Sequence, residues 1–283
     1  MAQRSLAFIT RLAGLGLLSG LLANPAAALV GGISTASFAQ VAGGVQVLPN
    51  WVITARHLNP AVGGTYSNGF GSSVIAARYD VASGAFPLDD LTLLRLATPI
   101  AAPSLSLVAN LLAAGSAYAF DATLTTGGNP APRGYGFSQV REFLPQVAPD
   151  AAGQLPPVSV NLLVTSTGGD GRPYVEDGDS GGGLFLGHVT TLDGDVPLWG
   201  ITSAFIADTD ANGNPSHPRS GFVQLSSYRS WLDNTLATDL TDTQTLTWAV
   251  TAVPEPAGAL LWLVGGLAGL GGFGVCKRAR RGR

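Results

Sequence analysis

The fold turns on Glu176-Asp177-Gly178-Asp179-Ser180-Gly181-Gly182-Gly183-Leu184-Phe185. A single serine stands between an acid and three glycines, with a further glycine two positions before it. Glycine serves where backbone takes φ > 0 or passes close to another group. Hinges on both sides of a hydroxyl suggest a turn that presents Ser180 Oγ and aims neighbouring N–H groups at one point. An acyl-transfer nucleophile needs that combination: an exposed oxygen beside donors for the oxyanion formed on attack. A Gly/Asp-rich surface loop would read similarly in a chain with 38 glycines. The letters also satisfy Gly-x-Ser-x-Gly, the pattern of a strand-to-helix nucleophile elbow. The rest of the chain has to decide.

Upstream lies Phe38 to Leu58, ending in Trp51-Val52-Ile53-Thr54-Ala55-Arg56-His57-Leu58. Short β-branched and aromatic runs, broken by Gly43-Gly44 and Pro49-Asn50, read as strands joined by a tight turn. His57 follows the last of them. Alone, a histidine is most often structural or on the surface. Leu88-Asp89-Asp90-Leu91-Thr92-Leu93-Leu94-Arg95-Leu96 reads as a further strand, entered by two acids. Such an acid serves either as a turn residue or as a buried carboxylate that fixes a histidine tautomer. Short strands then alternate with Gly/Pro-rich loops as far as Val223-Gln224-Leu225. Ser226 to Leu236 reads as a closing helix, with Ser226 as its cap and Tyr228, Trp231 and Leu232 on one face. The 38 glycines and 18 prolines argue for many turns and against a mainly helical protein. At 283 residues and 46% hydrophobic, the chain can bury a sizeable core.

The candidate residues run His57, Asp90, Ser180, which is not the Ser-acid-His order of an α/β-hydrolase. Ala42-Gly43-Gly44, Trp51 to His57, Asp90-Leu91-Thr92-Leu93-Leu94 and Gly178-Asp179-Ser180-Gly181-Gly182 resemble successive signatures of the chymotrypsin/trypsin-like serine proteases. Gly200-Ile201-Thr202-Ser203 and Gly221-Phe222-Val223-Gln224-Leu225 with Trp231-Leu232 resemble that family's late strands and C-terminal helix. The likeness spans residues 29–236. It implies an all-β fold of two antiparallel six-stranded β-barrels, divided near residues 110–120, with a C-terminal helix. It implies His57 as general base and acid, Asp90 as its orienting partner and Ser180 as nucleophile. The backbone N–H groups of Gly178 and Ser180 would form the oxyanion hole. The activity implied is hydrolysis of protein or peptide substrates through an acyl-enzyme, without cofactor or metal. An inactive protease-like domain, kept as a matrix or adhesion module, is the alternative.

Aligned on the same signatures, Tyr174 stands at the base of the primary substrate pocket, Ser203 and Phe205 on one wall and Gly221 on another. No acid lies at that base, so cleavage after Lys or Arg is not expected, and Phe205 narrows the pocket toward small or medium apolar side chains. Family members often bridge two cysteines beside the histidine. Here those positions hold Ala42 and Leu58, so an apolar contact is expected, and the chain's single cysteine allows no internal disulfide. In the family a freed N-terminus pairs with the acid before the serine. Cleavage after Ala28 would create Leu29-Val30-Gly31-Gly32, so a Leu29 ammonium paired with Asp179 is expected.

Both ends read as processing segments. Arg4 and Arg11 flank an apolar run from Leu12 to Leu22 that leads to Ala26-Ala27-Ala28, the pattern of a secretory signal peptide over residues 1–28 and a substrate for signal peptidase. At the other end, Ala257 to Val275 is an apolar stretch of 19 residues, long enough to span a bilayer. Lys277, Arg278, Arg280, Arg281 and Arg283 follow it, which keeps the tail cytoplasmic and the body exported. Val253-Pro254-Glu255-Pro256, the span and the basic tail (residues 253–283) resemble the PEP-CTERM sorting signal of Gram-negative bacteria. That likeness implies recognition by an exosortase, a transient transmembrane anchor in the inner membrane, and a destination at the cell envelope or extracellular matrix. Residues 237–252 would be a linker.

Charge is uneven. Two of the 15 basic residues precede residue 29 and five follow 276, while Glu255 is the one acid of 18 in the end segments. The body keeps 8 basic and 17 acidic residues, a charge near −9, which disfavours nucleic acid as a partner. Asp208-Thr209-Asp210-Ala211-Asn212-Gly213-Asn214 matches the first half of a calcium loop, but Arg219 holds the place of the closing glutamate, so a plain turn is expected. His188 and His217 lack metal-ligand spacing and are expected in surface loops.

Overall fold

The computed structural model describes residues 29–34, 37–81, 89–112, 118–127, 134–144, 161–165, 171–192, 196–209, 215–239 and 243–251. The expected signal peptide and the whole of 253–283, with its apolar span, lie outside them. So do residues 210–214 of the calcium-like loop. Among the described residues no helix is long and apolar enough to cross a membrane.

The first sheet is built from β2 (Val45–Leu48), β3 (Trp51–Thr54), β4 (Thr65–Asn68), β5 (Gly71–Asp80) and β6 (Thr92–Leu96), in the spatial order β2-β3-β6-β5-β4, all antiparallel. Pro49-Asn50 turns β2 into β3. Every residue of both strands is buried, because alternate side chains enter two different cores. Trp51 and Ile53 pack with Val45 and Val47 into the main core, which also takes Phe185, Leu198 and Ile201 from the other sheet. Val52 points the opposite way, into a smaller cluster with Tyr66, Ile75, Leu94, Leu96 and Ile100.

This sheet does not close on itself. The expected six-stranded barrel is a five-stranded half-barrel, and residues 39–40 bridge its two free edges. Gln46 N–H donates to the Gln40 carbonyl (3.1 Å) and Gly69 N–H to the Ala39 carbonyl (2.8 Å). Tyr66 Oη adds a bond to the Gln40 carbonyl at 3.0 Å, and Asn68 Nδ2 reaches Gln46 Oε1 at 2.6 Å. The stretch supplying these links is too irregular to be a sixth strand, since its residues bond to both edges in turn.

The second sheet does close. β8 (Phe120–Thr125), β9 (Gly134–Leu144), β10 (Leu162–Thr165), β13 (Pro215–Gln224), β12 (Leu198–Thr209) and β11 (Gly183–Leu186) form an antiparallel six-stranded barrel, completed where Leu184 of β11 pairs with Leu124 of β8. β1 (Ile33–Ser34) adds to β9, and β7 (Ser106–Val108) lies parallel to β12.

Two C-terminal details differ from the expectation. The closing segment is a 3-10 turn over Leu225–Tyr228 followed by helix α1 (Arg229–Thr238). Ser226 does not cap it; Ser226 Oγ donates to the Asn110 carbonyl (2.9 Å) and so ties the turn to the crossover between the sheets. Residues 243–251 belong to the body, not to a linker. β14 (Thr247–Ala249) pairs with β7, and Trp248 Nε1–H donates to Asp233 Oδ1 of α1 at 2.9 Å.

Candidate active site

Each barrel contributes part of one hydrogen-bonded chain. His57 sits in a 3-10 turn, Arg56–Leu58, directly after β3, closed by Asn59 in the left-handed region (φ 49). Asp90 stands in the turn before β6 and is almost wholly buried, at 1% exposure. Its Oδ1 accepts the His57 backbone N–H at 2.8 Å. Its Oδ2 faces His57 Nδ1 at 2.7 Å and accepts the Ser203 hydroxyl at 2.6 Å. A carboxylate can only accept, so Nδ1 carries the ring proton and the lone pair of Nε2 faces outward. Ser180 Oγ lies 2.8 Å from Nε2.

The turn that presents Ser180 uses its glycines for two separate reasons. Gly178 has φ +103 with open space around it, a backbone conformation that a side chain would strain. Gly182 is fixed by crowding instead: a Cβ there would stand 2.1 Å from the Thr125 carbonyl oxygen. Within the turn Asp179 N–H donates to the Glu176 carbonyl, Gly181 N–H to that of Thr202, and Gly182 N–H to that of Asp179. Among the described residues the N–H groups of Gly178 and Ser180 have no partner in the protein.

The sequence model of the family described as Trypsin matches residues 25–232. The chain belongs to the trypsin family. It is accordingly a serine-type endopeptidase. No curated protein matches it.

One bulge sets the register of the residues expected to line the primary pocket, Ser203, Phe205 and Gly221. In β12, Thr202 pairs with Phe222 and Ala204 with Gly221, so Ser203 is an extra residue without a partner opposite. Such a bulge re-aims a side chain. Ser203 Oγ turns to Asp90. The same shift sets Phe205 against Ser220. A Cβ at Gly221 would lie 3.1 Å from both Ile206 Cδ1 and Leu162 Cδ1, in the barrel core. Ser220, unforeseen from the sequence, is fully buried, its Oγ accepting the Val175 N–H at 2.9 Å. Tyr174 and Phe205 are both half-buried, with ring centroids 6.2 Å apart.

Leu58 and Ala42 are the pair expected to make an apolar contact beside the histidine. Ala42 is buried, but Leu58 stays 41% exposed, with Cδ1 against Gly181. The Ala42–Gly44 turn is held by polar bonds: Ala42 N–H to the Gly44 carbonyl (2.8 Å), Thr54 Oγ1 to the Gly43 carbonyl (2.5 Å), and Gly43 N–H to the Gly127 carbonyl.

Asp179 is 2% exposed and its Oδ2 accepts the Glu176 N–H at 3.0 Å. Burial pushes its carboxyl up to about 6; the Glu176 N–H opposes the shift and the Glu176 charge adds to it. Leu29 is buried nearby in sequence register, since Val30 and Tyr174 exchange backbone bonds at 3.1 and 3.2 Å. With Ala28 attached, Leu29 carries no ammonium, and no contact joins it to the Asp179 carboxylate among the described residues.

Among the described residues no group of three His, Cys, Asp or Glu is placed to hold a metal. His188 is exposed beside Phe137 (ring centroids 4.6 Å). His217, expected in a loop, is an exposed residue of β13 with φ +50.

Proposed function

We propose that the chain is an exported endopeptidase in which His57, Asp90 and Ser180 form the catalytic triad. The observation that carries this reading is the continuous chain from buried Asp90 through His57 to Ser180 Oγ. Ser180 Oγ attacks the scissile carbonyl carbon while His57 Nε2 takes its proton. The tetrahedral oxyanion is received by the Gly178 and Ser180 N–H groups, which are free of other partners. His57 returns the proton to the leaving amine, the acyl-enzyme forms, and a water activated by the same nitrogen releases it. Asp90, desolvated and held by three donors, keeps the tautomer throughout.

Tyr174 and Phe205, with rings 6.2 Å apart, would narrow the primary pocket toward small or medium apolar side chains at the cleaved residue. Signal cleavage after Ala28 would give Leu29 an ammonium, and buried Asp179, with no cation paired to it among the described residues, is the group it would pair with. The PEP-CTERM-like tail would be handled by an exosortase after a transient stay in the inner membrane, delivering the enzyme to the envelope or matrix.

The test is reaction with a serine-directed fluorophosphonate followed by intact mass, alongside Ser180→Ala. Labelling of the native protein alone establishes an activated Ser180. Absence of labelling in a folded protein beginning at Leu29 would favour the inactive matrix module. A peptide panel cleaved chiefly after Arg would refute the pocket assignment.

A further inference from the structure

Asp89, the residue before Asp90, has φ +44. For a residue with a Cβ this left-handed geometry is costly and persists only when its surroundings over-determine it. Two bonds do so. Leu91 N–H donates to the Asp89 carbonyl at 2.8 Å, and Tyr228 Oη–H donates to Asp89 Oδ1 at 2.8 Å. Tyr228 is itself fixed. It is 7% exposed between Leu225 and Leu232, both fully buried, and Asn161 Nδ2 donates to its Oη at 3.2 Å. Burial, with the bond to Asp89 adding to it, holds the phenol proton firmly in place, although the Asn161 bond opposes this.

The placement matters more than either bond alone. Asp89 and Asp90 belong to the half-barrel, whereas Tyr228, Asn161 and Ser203 come with the closed barrel. Adjacent carboxylates of one tight turn are thus each tied across the cleft, Asp89 to Tyr228 and Asp90 to Ser203. We infer that Tyr228, acting through Asp89, is a positioning residue of this peptidase: its hydroxyl holds the left-handed turn that aims the Asp90 carboxylate at His57. The inference rests on the triad reading above.

Tyr228→Phe removes the hydroxyl and keeps the ring in the core. In the full chain this variant should lower kcat about tenfold with KM little changed, the signature of misplacement by a fraction of an ångström. Asp89→Ala should match it, and the double variant should be no worse than either single one. Asp89→Asn keeps an acceptor oxygen and tolerates the left-handed region, so it should stay within about twofold of wild type. The second readout is the downfield proton resonance of His57 Nδ1–H, which should weaken in Tyr228→Phe and not in Asp89→Asn. Unchanged kcat and an unchanged resonance in Tyr228→Phe would overturn the inference, as would Asp89→Asn failing as badly as Asp89→Ala. If the native protein hydrolyses nothing, the resonance still decides: its loss in Tyr228→Phe upholds the positioning while the peptidase reading falls.

Discussion

The half-barrel and the closed barrel solve the same problem in different ways. In the closed barrel each strand satisfies its neighbours around the full circuit, so no edge is left. The half-barrel has two open edges and covers them with buried side chains: Gln40 and Gln46 are fully buried, and Gln46 Nε2 alone donates to the carbonyls of Leu48, Pro49 and Ile100. Function divides along the same line. The closed barrel supplies the nucleophile on a turn locked by backbone bonds and glycine crowding. The half-barrel supplies His57 and Asp90 from short turns at its strand ends, and these need ties from outside, such as Ser203. The closed unit fixes geometry through its own backbone, and the open one borrows it.

The contrast can be broken at several points. Asp90→Asn should have the largest effect, lowering kcat by about 10⁴-fold by admitting the wrong His57 tautomer, with the fold intact by circular dichroism. Gly182→Ala strikes the closed barrel. Its Cβ would meet backbone at Thr125 and Gly127, so a loss of about 3 kcal/mol or more is expected in chemical unfolding.

Asp179 gives a pH-dependent comparison. Its folded pKa near 6 lies above the ordinary carboxylate value. The stability it confers is therefore present below about pH 4 and lost as pH rises through about 6. The form retaining residues before Leu29 should lose up to about 3 kcal/mol across that window. Protein beginning at Leu29 should lose much less, because an ammonium would favour the charged carboxylate; equal slopes in the two forms would exclude the pairing. The smallest effect is expected from Gln46→Ala, which removes a buried amide bonded to the Leu48, Pro49 and Ile100 carbonyls and should cost about 2 kcal/mol in unfolding without altering kcat per labelled site.

Much of the site was legible because local chemistry fixes it. Gly178 needs φ > 0, Ser180 needs exposure, and His57 and Asp90 sit at strand ends marked by Thr54-Ala55 and by the paired acids. The pocket was less legible. A bulge at Ser203 displaces the facing register by one residue, and a slip of one residue changes the face a side chain presents. That is why Ser203 serves Asp90 and Phe205 faces Ser220. No residue type announces the bulge. The half-barrel escaped notice for a related reason: alternating apolar residues report that a strand is buried, not whether its last neighbour is another strand or a stretch carrying Gln40.

The sequence by itself determined the β class, the glycine turn and the order of His57, Asp90 and Ser180, because backbone conformation and side-chain chemistry are local properties. Only the tertiary structure decided which groups hold Asp90, which residue faces Phe205 across the sheet and which barrel closes. Those depend on register between strands distant in sequence, where a shift of one residue changes the face that every side chain presents.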